Sequence, residues 1–244
     1  IMMNRMTDAV KHLIIINIVV FIATFVLKMG FSDSLALYFP ENPSFGFWQY
    51  FTTMFVHGGV MHIVFNMYAL WAFGTPLEQI WGRNKFLFFY FSAGLGASAI
   101  YTAVNYFQFN GLYEQLINIG LSGAEIQQIL DTGAFSEQIL SSISREELST
   151  FYATYHTPAV GASGAIYGVL VAFGMMYPNA KLALIFFPVP IAAKYFIPLI
   201  ILGDLFFGIT GAATGIAHFA HIGGAIIGFI IAYYWKRNQF KRWN

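Results

Sequence analysis

Cysteine is missing from this 244-residue chain, which excludes a disulfide framework and a thiolate metal site and leaves oxygen as the only plausible side-chain nucleophile. Charge is nearly as scarce. Only 9% of residues are Asp, Glu, Lys or Arg and 58% are hydrophobic, whereas a soluble domain averages about 25% charged. This balance describes an integral membrane protein. The net charge of +1 says little by itself, and its distribution along the chain says more. There is no internal repeat, no low-complexity tract and no separate soluble domain, so the chain reads as one polytopic unit.

A membrane-spanning helix needs roughly twenty apolar residues, and runs of that kind occur near residues 12 to 28, 58 to 76, 86 to 107, 160 to 178, 192 to 210 and 217 to 235. The expected fold class is therefore all-α, a six-transmembrane-helix bundle with both termini on one side. Arg5 and Lys11 precede the first run, Arg83 and Lys85 separate the second and third, and Lys181 and Lys194 flank the link between the fourth and fifth. Lys236, Arg237, Lys241 and Arg242 follow the sixth. The positive-inside rule puts these residues, and both termini, in the cytoplasm. After the first run, Lys28-Met29-Gly30-Phe31 lacks a small-residue cleavage pattern, so that run is expected to remain as a helix.

The stretches at 29 to 57, 108 to 159 and 211 to 216 then face outward. The middle one is too polar to span and carries six acidic residues, among them Glu114, Asp131 and Glu137, against the single Arg145. Ser122 to Glu125 and Ser144 to Glu147 have capping-box spacing, and Ile126, Ile129 and Leu130 follow a helical period. Residues 108 to 159 are expected to form an extracytoplasmic insertion with short amphipathic helices.

Two motifs carry chemistry. Gly161-Ala162-Ser163-Gly164-Ala165-Ile166-Tyr167 opens the fourth run, and Ala217-His218-Phe219-Ala220-His221-Ile222-Gly223-Gly224 opens the sixth. An imidazole in hydrocarbon is costly and so is a functional-site candidate, and a neutral imidazole can take the proton of a serine hydroxyl. His218 and His221 stand at i and i+3, and spacing alone leaves both open as that base. Gly161, Ala162 and Gly164 leave room around Ser163, while Gly224 to Gly228 gives the sixth helix a small-residue face for close contact. Near a helix N-terminus, the backbone N–H groups around Ser163 are available to an oxyanion. Tyr167, at i+4 from Ser163, is placed to pack against an imidazole. At the same level His57-Gly58-Gly59-Val60-Met61-His62-Ile63-Val64-Phe65-Asn66 opens the second run. His62 and Asn66 share a face there and can each donate a hydrogen bond to developing negative charge.

Together these segments resemble the rhomboid intramembrane serine proteases across nearly the whole chain. The resemblance implies a six-helix rhomboid-like bundle, a catalytic dyad of Ser163 and His221, and oxyanion assistance from His62, Asn66 and the Ser163 backbone. Tyr167, Gly161 and Gly164 take supporting roles. It implies single-pass transmembrane protein substrates cut in or beside their membrane segment. It implies no metal, no cofactor and no nucleic acid, and by analogy a bacterial inner membrane with the site opening outward. One departure stands out: bacterial members often carry Trp-Arg in the first outer loop, and this chain has Trp48-Gln49.

Other readings of the same residues are an inactive rhomboid-like binder of membrane proteins and a metal site or transporter built on His57, His62, His218 and His221. For the remaining polar residues the bland role is expected. His218 is read as structural, His57 as stabilising the outer loop, and Ser92 and Ser98 as helix-contact serines; Asp204 is an expensive buried carboxyl that could tune a pKa and is read as a hydrogen-bonding group near a helix end. No feature of the chain specifies an oligomeric state.

Overall fold

The computed structural model describes residues 5–184, 187–210 and 216–239. Lys241, Arg242 and most of the 211 to 216 link lie outside these residues. The chain runs α1 (Asp8–Val26), α2 (Val60–Trp81), α3 (Arg83–Asn118), α4 (Gly123–Thr132), α5 (Arg145–His156) and α6 (Ser163–Met176). A hairpin of β1 (Lys181–Leu184) and β2 (Phe187–Ala192) follows, then α7 (Ala193–Thr210) and α8 (His218–Gln239). Five of these helices, α1, α2, α3, α7 and α8, are long and apolar enough to cross a membrane.

The run expected at 160 to 178 is helical only over the 14 residues of α6. Both ends have local causes. Gly161 sits at φ +125°, outside the helical region, and delays the start. Pro178 disfavours helical backbone at Tyr177, which leaves the helix at φ −126°. Although short, α6 is the most enclosed element: every residue from Gly164 to Phe173 except Tyr167 is buried. By contrast, α7 turns Leu199, Leu202 and Phe206 outward, as a helix facing lipid does.

Small residues bring α6 against both α3 and α8. A Cβ added to Gly164 would lie 2.6 Å from the Ala97 Cβ of α3, and one added to Gly168 would lie 2.7 Å from that of Ala93. On the other side, Gly224 and Gly228 of α8 lie against the backbones of Gly164 and Gly168. Within a bilayer such contacts replace the hydrophobic effect as the source of helix association, because lipid is as apolar as leucine.

At the opposite end of the bundle, Glu78 of α2 accepts the N–H groups of Ala9 and Val10, both at 2.9 Å. These are first-turn amides of α1 that the helix itself leaves unpaired. The buried carboxylate thereby ties α1 to α2.

Residues 108 to 118, expected in a loop, are instead the last turns of α3, whose 36 residues rise about 54 Å. That exceeds the ~30 Å hydrocarbon thickness, so α3 continues well beyond the bilayer. The continuation is held by a second apolar cluster in which Phe109 and Leu116 meet Phe39, Ile126, Leu148 and Phe151. Both capping boxes form in both directions. Ser122 N–H donates to Glu125 at 2.8 Å and Glu125 N–H returns to Ser122 Oγ at 3.3 Å; the Ser144–Glu147 pair has 2.8 and 3.2 Å. Gly133, at φ +70°, closes α4.

The β1–β2 hairpin, with Lys181 opposite Ala192 and Leu182 opposite Ile191, was not expected from the sequence. It occupies the link between the fourth and fifth runs, whose few residues carry no alternating pattern that would mark a strand.

Candidate active site

The strand leading into α6 is fixed before the helix begins. Leu37 and Ala159 exchange backbone hydrogen bonds of 3.0 and 2.8 Å, Thr53 Oγ1 donates to the Ala159 carbonyl at 2.6 Å, and Gly161 N–H donates to the Thr53 carbonyl at 3.0 Å. Gly161 is required twice over. Its φ is one that side chains rarely adopt, and a Cβ there would lie 2.7 Å from His62 Nε2.

Ser163 is the first residue of α6, preceded by Ala162, which has no side chain able to cap the helix. The amides of this first turn have no intrahelical acceptor and are available to a ligand. Ser163 Oγ lies 2.9 Å from Nε2 of His221, on the first turn of α8. The His221 ring stacks on Tyr167 with centroids 4.1 Å apart and planes 11° from parallel. On the far side of the ring, Nδ1 is 3.1 Å from Oδ1 of Asp204, on α7. Nδ1 of His218 reaches the same oxygen at 2.5 Å, and the Tyr167 hydroxyl donates to Oδ2. Asp204, His218 and His221 are all buried, and Ser163 is half-buried.

Asp204 therefore corrects the reading of a helix-end group. It bonds side chains from two other helices. His218, read as merely structural, belongs to the same cluster.

His62 projects from α2 against Gly161, next to this cluster, and Asn66 follows one turn later on the same helix. Asn66 Nδ2 donates to the His62 carbonyl at 2.9 Å, and Gly58 N–H approaches His62 Nδ1 at 3.4 Å. His57 lies in the outer loop three residues ahead of α2, buried, with its ring 5.1 Å from that of His62. Burial, and then the neighbouring His62, push the His57 imidazole down to about 4, with a backbone contact to Phe55 offsetting part of the effect.

A serine at a helix N-terminus, bonded to a buried imidazole deep in a bundle of apolar helices, is an unusual arrangement, and it can be set against known proteins. A Rhomboid domain model matches residues 44–130 and 117–238. The chain belongs to the rhomboid family. It is 31% identical over 196 residues to Rhomboid protease AarA of Providencia stuartii, covering 76% of this chain and 54% of that protein. To Rhomboid protein 1, mitochondrial, of Saccharomyces cerevisiae it is 27% identical over 183 residues, or 74% and 39% of the two chains. To Rhomboid protease GluP of Bacillus subtilis it is 28% identical over 188 residues, or 76% and 25%. The chain thus spans 25% to 54% of the length of these three relatives. It is an integral, multi-pass membrane protein of a family that comprises intramembrane proteases and rhomboid-like proteins.

Among the described residues, Asp204, His218 and His221 form a group whose donor atoms lie within 4.8 Å of one another, a set that could hold a divalent metal. Its membership differs from the four-histidine set considered from sequence. His57 and His62 lie outside it, and a carboxylate enters it. In the rhomboid fold as seen here, those same atoms already serve one another as hydrogen-bond donors and acceptors.

Proposed function

We propose that this rhomboid is an intramembrane serine endopeptidase that cuts single-pass transmembrane proteins in or beside their membrane segment. The reading rests on one observation, the 2.9 Å approach of Ser163 Oγ to His221 Nε2 within the bundle. His221 takes the hydroxyl proton as Oγ attacks the substrate carbonyl. It then passes that proton to the leaving amine, which departs to leave an ester on Ser163. Water, deprotonated by the same imidazole, hydrolyses the ester and restores the serine.

Negative charge on the carbonyl oxygen is met by the first-turn amides at Ser163, by His62 and by the second N–H of the Asn66 amide. Gly161 and Gly164 keep the approach open, and Tyr167 holds the imidazole plane. No resident metal or cofactor takes part in these steps. Residues 119 to 159 belong to this single membrane domain as an insertion packed on the end of α3 and on the outer loop.

The orientation follows charge. Arg83 and Lys85 open α3, and Lys236 and Arg237 close α8, where Lys236 reaches the Met175 carbonyl at the opposite end of α6 from Ser163; by the positive-inside rule that end faces the cytoplasm or its equivalent and the site opens on the other side. A bacterial inner membrane fits this arrangement, and the mitochondrial relative shows that the family is not confined to one. Because the chain has no native cysteine, single cysteines at Gln138 and at Arg83 can be labelled by an impermeant maleimide on intact cells. Only the first should react.

The activity is tested by exposing detergent-solubilised protein to a fluorophosphonate probe, with Ser163→Ala and His221→Ala in parallel and the adduct located by mass spectrometry. An adduct on Ser163, absent from both variants, supports the reading. No adduct across a wide pH and detergent range would favour a rhomboid-like binder without catalysis.

A further inference from the structure

Resting on the protease reading, we propose that Asp204 is a positioning residue for His221, so that Ser163 and His221 work within a three-residue unit completed by α7. The serine and the carboxylate meet opposite nitrogens of one imidazole. Ser163 Oγ is 2.9 Å from Nε2 and Asp204 Oδ1 is 3.1 Å from Nδ1 of one ring.

A carboxylate oxygen only accepts hydrogen bonds, so contact with it keeps a proton on His221 Nδ1. The lone pair then falls on Nε2, facing the serine hydroxyl. That is the tautomer a general base requires. When Oγ–H passes its proton to Nε2, the ring becomes an imidazolium that still carries Nδ1–H. The neighbouring carboxylate stabilises this cation without itself taking the proton.

Asp204 is itself held on three sides. His218 donates to Oδ1 at 2.5 Å, His221 bonds the same oxygen, and Tyr167 donates to Oδ2. Tyr167 also stacks on the ring that Asp204 orients. The carboxylate thus ties together α6, α7 and α8 around one imidazole. A buried carboxylate within a membrane is expensive, and a neutral amide would serve a purely structural hydrogen bond at less cost. Placing an acceptor-only group against Nδ1 is what an amide, able to present either N–H or C=O, does not guarantee. The groups facing His221 are Ser163 and Tyr167 from α6, Asp204 from α7, His218 from α8 and His62 from α2.

The experiment is a time course of fluorophosphonate labelling on the purified chain, comparing wild type with Asp204→Asn and Asp204→Glu. It separates the maximal rate of inactivation from probe affinity and from the final labelled fraction. Asp204→Asn should lower the maximal rate on the order of 100-fold or more, with affinity within about twofold and the same final fraction labelled; Asp204→Glu should restore part of the rate. A maximal rate within about threefold of wild type in Asp204→Asn overturns the proposal. So does a reduced labelled fraction at an unchanged rate, which is the mark of a structural role.

Histidine-selective 15N labelling of the wild-type protein tests the same point without any dependence on a variant's folding. His221 should be the Nδ1–H tautomer at neutral pH, and an Nε2–H tautomer overturns the positioning role. Failure of wild type to label at all would instead remove the protease reading on which the proposal stands.

Discussion

Gly224 of α8 lies against the carbonyl of Gly164 with no room for a Cβ between them, and one turn on Gly228 repeats the contact against Gly168. The atoms in the way are backbone, so a methyl group cannot be accommodated by a rotamer change. The two helices that carry Ser163 and His221 would have to part. Gly224→Ala should destabilise the folded protein by about 1 to 3 kcal/mol and should also slow Ser163 labelling, because the 2.9 Å contact depends on the same helix spacing. Thermal unfolding in detergent reads the first effect. Gly203→Ala is the control: nothing lies within 4 Å of the added methyl, and unfolding should be unchanged or slightly delayed. Equal behaviour of the two variants would show that the glycine contact does not set the helix spacing.

Glu78 offers a different kind of test, because it acts at the end of the bundle away from Ser163. Its carboxylate takes two first-turn amides of α1 at 2.9 Å. Glu78→Ala leaves both N–H groups without that acceptor in a buried setting, a loss of about 2 kcal/mol or more. Hydrogen exchange should rise at Ala9 and Val10 while the residual folded protein labels at Ser163 at the wild-type rate. Unchanged protection at those amides would mean that α1 is held by its apolar contacts alone.

How much of this could be read from the sequence depends on how far apart the cooperating residues are. Ser163 to Tyr167 and His62 to Asn66 are local, and helical spacing alone puts each pair on one face. The capping boxes at Ser122 and Ser144 are equally local, and both form. Asp204 is different. Its partners are 37, 14 and 17 residues away on two other helices, and no spacing rule links a carboxylate to an imidazole across three chain segments. Gln49 was likewise opaque. It is fully buried and ties the outer loop together, accepting the Tyr38 N–H at 3.1 Å and donating to the Ser44 carbonyl at 2.7 Å. The overshoot of α3 is not legible because residues 108 to 118 turn more polar while the helix runs on unbroken.

Acid should loosen the outer loop through His57. Its folded value of about 4 lies below the ordinary 6.5, so between these limits the unfolded chain binds a proton that the folded chain does not. Stability therefore falls as pH falls through that window, and below about 4 the loss is complete, roughly 3 kcal/mol at 1.36 kcal/mol per unit. Denaturation at pH 7 and at pH 5 should show the decline in wild type, and His57→Phe should flatten it. A variant with the wild-type slope would place the acid sensitivity at another group.

Asn66 separates a donor role from a packing role, because its amide can be changed without changing its shape. One N–H of Nδ2 is committed to the His62 carbonyl at 2.9 Å, and the other is the donor assigned to the oxyanion. Asn66→Asp keeps the volume but replaces both donors with an acceptor, and it brings negative charge to the place where the transition state develops its own. Removing a single such donor lowers the rate by about 10² to 10³, so Asn66→Ala should slow the maximal rate of Ser163 labelling by that factor at unchanged probe affinity. Asn66→Asp should be at least as slow, since repulsion adds to the lost bond. If Asn66→Asp instead labels faster than Asn66→Ala, shape rather than hydrogen-bond donation is what this position supplies, and the oxyanion must be held by His62 and the α6 amides alone.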